Sequence, residues 1–224
     1  MTSVERAIVL LSGGVDSAVC LWLARERGFD TYTISYDYHG RHRREINASR
    51  ELSKAAGTVE HKLIDLPFLK EFEDTLLEVE NPLYKQRDII PRAYIPSRNL
   101  VFYSIAASWA EVISASHIIG GHHKGDLQSF PDATADFFDL VNEAIALGSR
   151  ASKMMKIEII APLHEYEKSM IISEAIRLKV PLELTWSCHR RDDIACGKCT
   201  ACVSRLQSFR AVGMEDPIEY LPMM

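Results

Sequence analysis

The residues whose types and spacing suggest chemistry open with Ser12-Gly13-Gly14-Val15-Asp16-Ser17, placed between an apolar run, Ala7 to Leu11, and a segment with helical periodicity. Two glycines let the backbone approach a ligand closely, and the free N–H groups and positive dipole end of the following helix favour an anion. Ser12 and Ser17 add hydroxyl donors. Asp16 suits an anion that carries a cation, because a hard divalent metal takes a carboxylate beside phosphate oxygens. Neither GxxxxGK(S/T) nor GxGxxG occurs, so the common phosphate and dinucleotide fingerprints do not account for the loop. The plain alternative is a turn with Gly for positive φ and Asp or Ser as a helix cap. Six specified residues after a buried strand argue against it.

Four of the five cysteines, Cys188, Cys196, Cys199 and Cys202, crowd into the last quarter of the chain. In a reducing compartment that crowding reads as metal and not as disulfide. Four thiolates close a tetrahedral shell without an open position, which suits a structural Zn2+; an iron–sulfur cluster is the rival. A closed site of this kind is expected to brace the tail without entering the reaction. Three weaker groups fall in loops: Tyr36 to His42, Ile95 to Asn99, and Gly121 to Asp132. Isolated His, Arg and Asp residues in loops are more often solvated or surface-paired.

The elements that must position these residues alternate in type. Strands are expected at Ala7–Leu11, Thr31–Tyr36, His61–Leu66, His117–Gly120 and Ile157–Ala161. The face Val15, Ala18, Val19, Trp22 and Leu23 marks a first helix ended by Gly28, and Arg43–Ala56 a weaker one ended by Gly57. Leu100–Ser116 should turn Val101, Ile105, Trp109 and Val112 inward; Phe137, Leu140, Val141, Ala144 and Ile145 mark another helix, and Glu165–Leu178 the last long one. This alternation implies right-handed crossovers and a Rossmann-like α/β fold: a parallel five-stranded sheet with helices on both faces. Ligands of such sheets sit beyond the carboxyl ends of the strands, where the loops after Leu11, Tyr36 and Gly120 lie. Residues 1–183 are expected to form this domain, with 67–99 as a lid or insertion, and 184–224 a zinc-binding segment.

Composition narrows the class. The 224 residues carry 26 Lys and Arg against 31 Asp and Glu, a formal charge of −5, which disfavours nucleic-acid binding over the whole surface. Apolar residues at 47% and charged residues at 25% are ordinary for a globular protein. No apolar run is long enough for a membrane span, and Ala7 to Leu11 is shorter than a signal-peptide core of roughly 7 to 15 residues. A cytoplasmic protein is therefore expected.

SGGVDS in this setting resembles the pyrophosphate loop of the ATP-pyrophosphatase (PP-loop) superfamily, whose members activate a carboxylate or carbonyl oxygen by adenylation. YDYHGRH, YIPSRN, the segment from Asp126 to Asp132, APLHEYEK, TWSC and CGKCTAC further resemble the QueC family of 7-cyano-7-deazaguanine synthases, over nearly the whole chain. One departure is that Gln128, Ser129 and Phe130 occupy the middle of a segment that family members commonly write as D-x-S-G-Y-P-D. The resemblance implies a ligase that converts 7-carboxy-7-deazaguanine and ammonia to the 7-cyano compound with ATP and Mg2+, toward modified deazaguanine nucleosides of tRNA. It implies that Leu11, Ser12, Gly13, Gly14, Val15, Asp16, Ser17 and Tyr36 meet the nucleotide. Asp16 and Lys168 then serve catalysis, the first through magnesium and the second by neutralising phosphate charge. Arg98, Asp126 and Asp132 are candidates for the deazaguanine, whose edge presents neighbouring N–H donors to a carboxylate. Arg41 and His42 are candidates for its carboxylate or a phosphate, or else brace their loop. A homodimer is expected from the family, and ammonia from solution or a partner, since the length leaves no room for a glutaminase domain. Two other readings stand beside this one. One is a zinc-ribbon RNA-binding or regulatory protein using Arg190, Arg191, Lys198, Arg205 and Arg210; the other is a superfamily relative acting on a different acid or on a tRNA base.

Overall fold

The computed structural model describes residues 4–38, 43–69, 71–72, 95–127 and 129–222. Five strands, β1 (Arg6–Leu10), β2 (Asp30–Asp37), β3 (Glu60–Asp65), β4 (His117–Ile119) and β5 (Glu158–Ile160), form one sheet in the order β3-β2-β1-β4-β5. Every pairing is parallel: Ala7 faces Thr31 on one side and His117 on the other. The helices are α1 (Val15–Glu26), α2 (Arg43–Ala56), α3 (Arg98–Ile113), the single turn α4 (Lys124–Leu127), α5 (Ala135–Gly148), α6 (Lys168–Arg177) and α7 (Thr200–Ala211).

Strand alternation fixes which face each helix covers. Ala7, Val9 and Leu11 point into one buried cluster with α1, Leu52 of α2, Ile171 and Ile172 of α6, and Phe209 of α7. Ile8 points the other way, toward Ile34, Ile118 and Ile159, and meets Tyr103, Ala106 and Trp109 of α3 and Phe138 and Val141 of α5. The strand order supplies the reason. From β1 the chain builds outward through α1 and α2 to β3, then crosses back to β4 and builds outward to β5. Right-handed crossovers put helices wound in opposite directions on opposite faces. The direction switches between β1 and β4, the place in a sheet of this kind beyond whose strand ends ligands sit.

The five-strand expectation holds, with ends shifted by at most one residue; the helix expected at Glu165–Leu178 starts three residues later, at Lys168, and it is not the last long one, because the 12-residue α7 follows in the cysteine-rich tail, where no helix was expected. Two helix faces need correction. Val112 is 80% exposed and Leu140 65% exposed, and Ala144 is exposed as well. At ~100° per residue Val112 lies opposite the buried Tyr103, and Leu140 about 200° round from Phe138. The rest of each expected face holds: Trp109 is buried and Val101 and Ile105 pack on the same cluster as Tyr103 and Ala106, while Val141 is buried and Phe137 and Ile145 pack inward in α5, so only Val112, Leu140 and Ala144 turn outward. The lid expected at 67–99 falls mainly on residues outside the described ones.

The C-terminal segment folds back on the α/β layers. Arg205 of α7 donates to both oxygens of Asp216 at 2.7 and 2.9 Å, and also to Thr185 Oγ1 and the Leu182 carbonyl. Tyr220 completes the arrangement by donating its hydroxyl to Asp216 at 2.6 Å. Arg205 and Asp216 are almost wholly buried, with side-chain exposures of 3% and 1%. Arg205 is therefore not a surface cation for RNA, and Arg191 is paired with Asp193 at 2.6 Å.

Candidate active site and metal centre

The first site forms where β1 ends. Leu11 continues the sheet by donating to Ile34 O at 2.8 Å, and its own carbonyl accepts from the Ser35 hydroxyl. Ser12 then turns the chain. Its N–H donates to Ser17 Oγ at 3.1 Å, the two hydroxyls lie 3.0 Å apart, and Gly14 N donates to Ser12 Oγ at 3.3 Å. Ser17 Oγ also reaches Gly14 O at 3.0 Å, so the loop is held by its own hydroxyls in a preformed shape.

Gly13 stands at φ +91°, and a Cβ there would lie 2.3 Å from the Glu45 carbonyl oxygen. Only glycine fits. The first intrahelical bond of α1 is Ala18 N to Gly14 O, and no side chain caps Gly14, so the first-turn amides keep their donor capacity for a ligand.

Asp16 sits in that first turn. Its Oδ2 accepts from Lys168 Nζ, at the start of α6, at 2.5 Å. Its Oδ1 is buried and makes no hydrogen bond. A carboxylate oxygen without a partner beside an uncapped helix terminus is a fit for a hard cation travelling with phosphate.

The loop after β4 closes on this one. A Cβ on Gly121 would lie 2.9 Å from Ser17 N and 3.1 Å from Asp16 C, so the two loops touch backbone to backbone. His122 follows, with Nε2 2.9 Å from the Tyr103 hydroxyl and its ring against Phe138. Burial holds its pKa down near 4; Asp126 and Asp132 pull it up, and Arg98 and His164 push it further down. His123 accepts from Gly125 N at Nδ1 (2.8 Å), which leaves its proton on Nε2, 3.7 Å from Asp126 Oδ1. Asp126 Oδ2 accepts from the His123 amide at 3.1 Å. Asp132 Oδ2 accepts from Asn99 N at 3.0 Å in the first turn of α3, while its carbonyl accepts from the Asn99 side chain. Arg98 reaches the Tyr38 hydroxyl at 3.4 Å.

The second centre lies in the tail. The sulfurs of Cys188, Cys196, Cys199 and Cys202 all fall within 4.8 Å of one another. Tetrahedral thiolates about 2.3 Å from one ion stand roughly 3.8 Å apart, and the Cys196 to Cys202 separation is 3.9 Å. Backbone N–H groups of Arg190 and Cys196 point at Cys188 Sγ, and that of Cys199 at Cys196 Sγ, at 3.3 to 3.4 Å. The backbone donors at Cys196 Sγ favour its thiolate over its thiol. Four sulfurs, with no fifth ligand among the described residues, fit a closed, structural divalent ion.

The profile of the family described as "Queuosine biosynthesis protein QueC" matches residues 6–213. The chain belongs to this family. It is 37% identical over 220 residues to the 7-cyano-7-deazaguanine synthase of Oceanobacillus iheyensis, covering 97% of this chain and 99% of that one. The 7-cyano-7-deazaguanine synthase of Thermoplasma acidophilum is 38% identical over 96% of this chain and 92% of its own. Among solved structures, the NMN synthetase of Francisella tularensis superposes with TM-score 0.52 at 16% identity, covering 95% of this chain and 79% of that one. The NH3-dependent NAD synthetase of Campylobacter jejuni gives 0.52 at 15%, covering 82% and 68%. These two show the shared fold.

Within this QueC-family chain, Ser12, Gly13, Gly14, Val15, Asp16, Ser17 and Lys168 form one patch. Arg98, Asp126 and Asp132 surround His122 beside it. The Leu11, Val15 and Tyr36 side chains are buried, and the Tyr36 ring stacks on Phe102 at 4.1 Å with its hydroxyl on Phe102 O. What Leu11 and Tyr36 can offer a ligand is backbone. Arg41, His42 and Gln128 lie outside the described residues. His122 and Tyr103 carry no motif of their own; the signal in the sequence is a histidine directly after Gly120-Gly121 at a strand end, within the loop 121–132.

Proposed function

We propose that the chain is an ATP-dependent carbon–nitrogen ligase, a 7-cyano-7-deazaguanine synthase acting on 7-carboxy-7-deazaguanine and ammonia in queuosine-type tRNA-modification precursor synthesis. The observation that carries this reading is the match to relatives of that name at 37 to 38% identity over nearly the full length of both chains. The chemistry explains the need for ATP. A carboxylate resists attack by ammonia because it is anionic and its oxygen leaves poorly, whereas an acyl-adenylate expels AMP. Ser12, Gly13, Gly14 and Ser17 hold the departing pyrophosphate, Asp16 takes Mg2+ at its unpartnered oxygen, and Lys168 neutralises phosphate charge as it grows. Arg98, Asp126 and Asp132 receive the deazaguanine, and Arg41 and His42 its carboxylate or a phosphate.

The four-cysteine centre holds Zn2+ in this reading, and the enzyme works as a homodimer in the cytoplasm. An RNA-binding role is less well supported. Arg205 is buried in an ion pair and Arg191 is paired with Asp193, which leaves Arg190, Lys198 and Arg210 exposed, and four thiolates around a divalent ion would carry −2 and offset much of that charge.

The test is incubation with ATP, Mg2+, ammonium and 7-carboxy-7-deazaguanine, followed by mass spectrometry of base and nucleotide. Formation of the nitrile with AMP is expected. ATP consumption only with a different acid, or salt-sensitive RNA binding without turnover, would replace this reading with one of the others.

A further inference from the structure

The four-cysteine centre and the SGGVDS loop are far apart in sequence, yet one residue touches both. Trp186 N donates to Gly13 O at 2.9 Å, and Trp186 Nε1 donates to the carbonyl of Cys188 at 3.2 Å. The Trp186 carbonyl also flanks Gly14, 3.8 Å from where a Cβ would stand. The ring is 4% exposed and packs in one cluster with Cys188, Cys199, Cys202, Ala195 and Ala48.

The opposite side of Gly13 is closed by α2. A Cβ on Gly13 would meet Ser49 N at 3.1 Å and Ala48 Cβ at 3.2 Å as well as the Glu45 carbonyl. Ala48 belongs to the cysteine cluster, Arg44 lies over the Trp186 ring at 5.5 Å, and Arg44 N donates to Asp192 in the cysteine-rich segment at 3.3 Å. Gly13 is thus gripped between a helix and a tryptophan backbone that both rest on the same cysteine centre.

We propose that Trp186 is a positioning residue: it couples the four-cysteine centre to the nucleotide loop and fixes where the Gly13–Asp16 amides point. The inference rests on the reading of SGGVDS as the pyrophosphate loop, and it changes what the metal centre is for. A brace confined to the tail would leave the loop unchanged when the metal is lost. A centre that seats Trp186 controls the carbonyl of Gly13 and, through it, the peptide plane whose other end is Gly14 N. Trp186 does not touch the reacting atoms, so its removal should weaken nucleotide binding before it alters the chemistry.

Two measurements on the full chain test this. Hydrogen exchange of the residue 12–17 backbone reads the tether without any ligand, and calorimetric titration with Mg2+ and α,β-methylene-ATP reads its consequence. Trp186→Ala should speed exchange in 12–17 and weaken nucleotide binding by about 3- to 30-fold, with one metal per chain retained. Trp186→Phe keeps the buried ring and should restore most of both. Chelation of the metal from the wild-type protein should reproduce the Trp186→Ala pattern, and re-addition should reverse it. Val141→Ala, in the cluster on the opposite sheet face, should lower the melting temperature and leave both readouts unchanged. Unchanged exchange in 12–17 after chelation and in Trp186→Ala overturns the coupling. Should Trp186→Ala not fold, the chelation arm decides alone. Faster exchange in a protein whose wild type binds no nucleotide would keep the coupling and remove the pyrophosphate reading instead.

Discussion

Asp16 has two oxygens in different situations: one takes the Lys168 ammonium and the other is buried without a partner. Asp16→Asn keeps the size of the side chain and removes the charge that a cation needs. Turnover should fall by about 100-fold or more. Stability should change by less than about 1 kcal/mol, because the pair with Lys168 is partly exposed. Steady-state kinetics beside a denaturant melt separates the two, and full activity would remove Asp16 from the mechanism. Ser12→Ala removes one of several donors and should cost about tenfold or less. His122 adds a pH dependence. Its folded pKa lies near 4, below the ~6.5 of an exposed histidine, so the unfolded chain binds the proton more readily. The stability this group contributes is complete above about pH 6.5 and is lost as pH falls toward 4. Burial lowers His61 in the same direction. Thermal melts between pH 7 and 4 should show a shallower decline for His122→Gln than for the wild type; parallel curves would mean that His122 titrates normally.

Among the elements, the strands and the helices of the α/β layers were legible because their signals are local: Val9 and Ile8 alternate, and Ala18 and Trp22 recur at helical spacing; α7, inside the cysteine-rich tail, was not. How far the inward face of α3 extends was not legible either, since Val112 continues the spacing of Val101, Ile105 and Trp109, which pack inward, yet ends on the solvent side. The tether of Gly13 to Trp186 was invisible for another reason, because a backbone N–H carries no residue identity. Nor could the sequence tell that Arg205 turns inward to Asp216. That pair fixes α7 to the C-terminal strap, and its burial makes the outcome of breaking it predictable. Arg205→Met should destabilise the fold by about 3–5 kcal/mol, since Asp216 would remain buried without its partner. Replacing both, as Arg205→Met with Asp216→Leu, should recover a large part of the loss. Urea melts of the three proteins check this, and a single variant as stable as the wild type would show the pair to be unimportant.

At the scale of the whole molecule, nitrile formation asks for more than one activation from a chain with one SGGVDS loop. Turning the acid into the amide removes one oxygen, and turning the amide into the nitrile removes the second. Each must leave as part of a good leaving group, and adenylation provides one each time. The sequence holds no second loop of this kind, so in the proposed reading both adenylations use the SGGVDS loop at the end of β1. The geometry suits reuse: the loop is preformed by its own hydroxyls and the β4 loop packs directly on it, so a ring held by Arg98, Asp126 and Asp132, as proposed, would keep its orientation while the reacting group changes. The expected stoichiometry is two AMP and two pyrophosphate per nitrile, with the primary amide accepted as a substrate. Synthetic amide supplied with ATP and no ammonia should give the nitrile at one AMP each. An inert amide, or ADP and phosphate in place of AMP and pyrophosphate, would mean that the loop holds ATP in another register and that the second oxygen leaves by a different route.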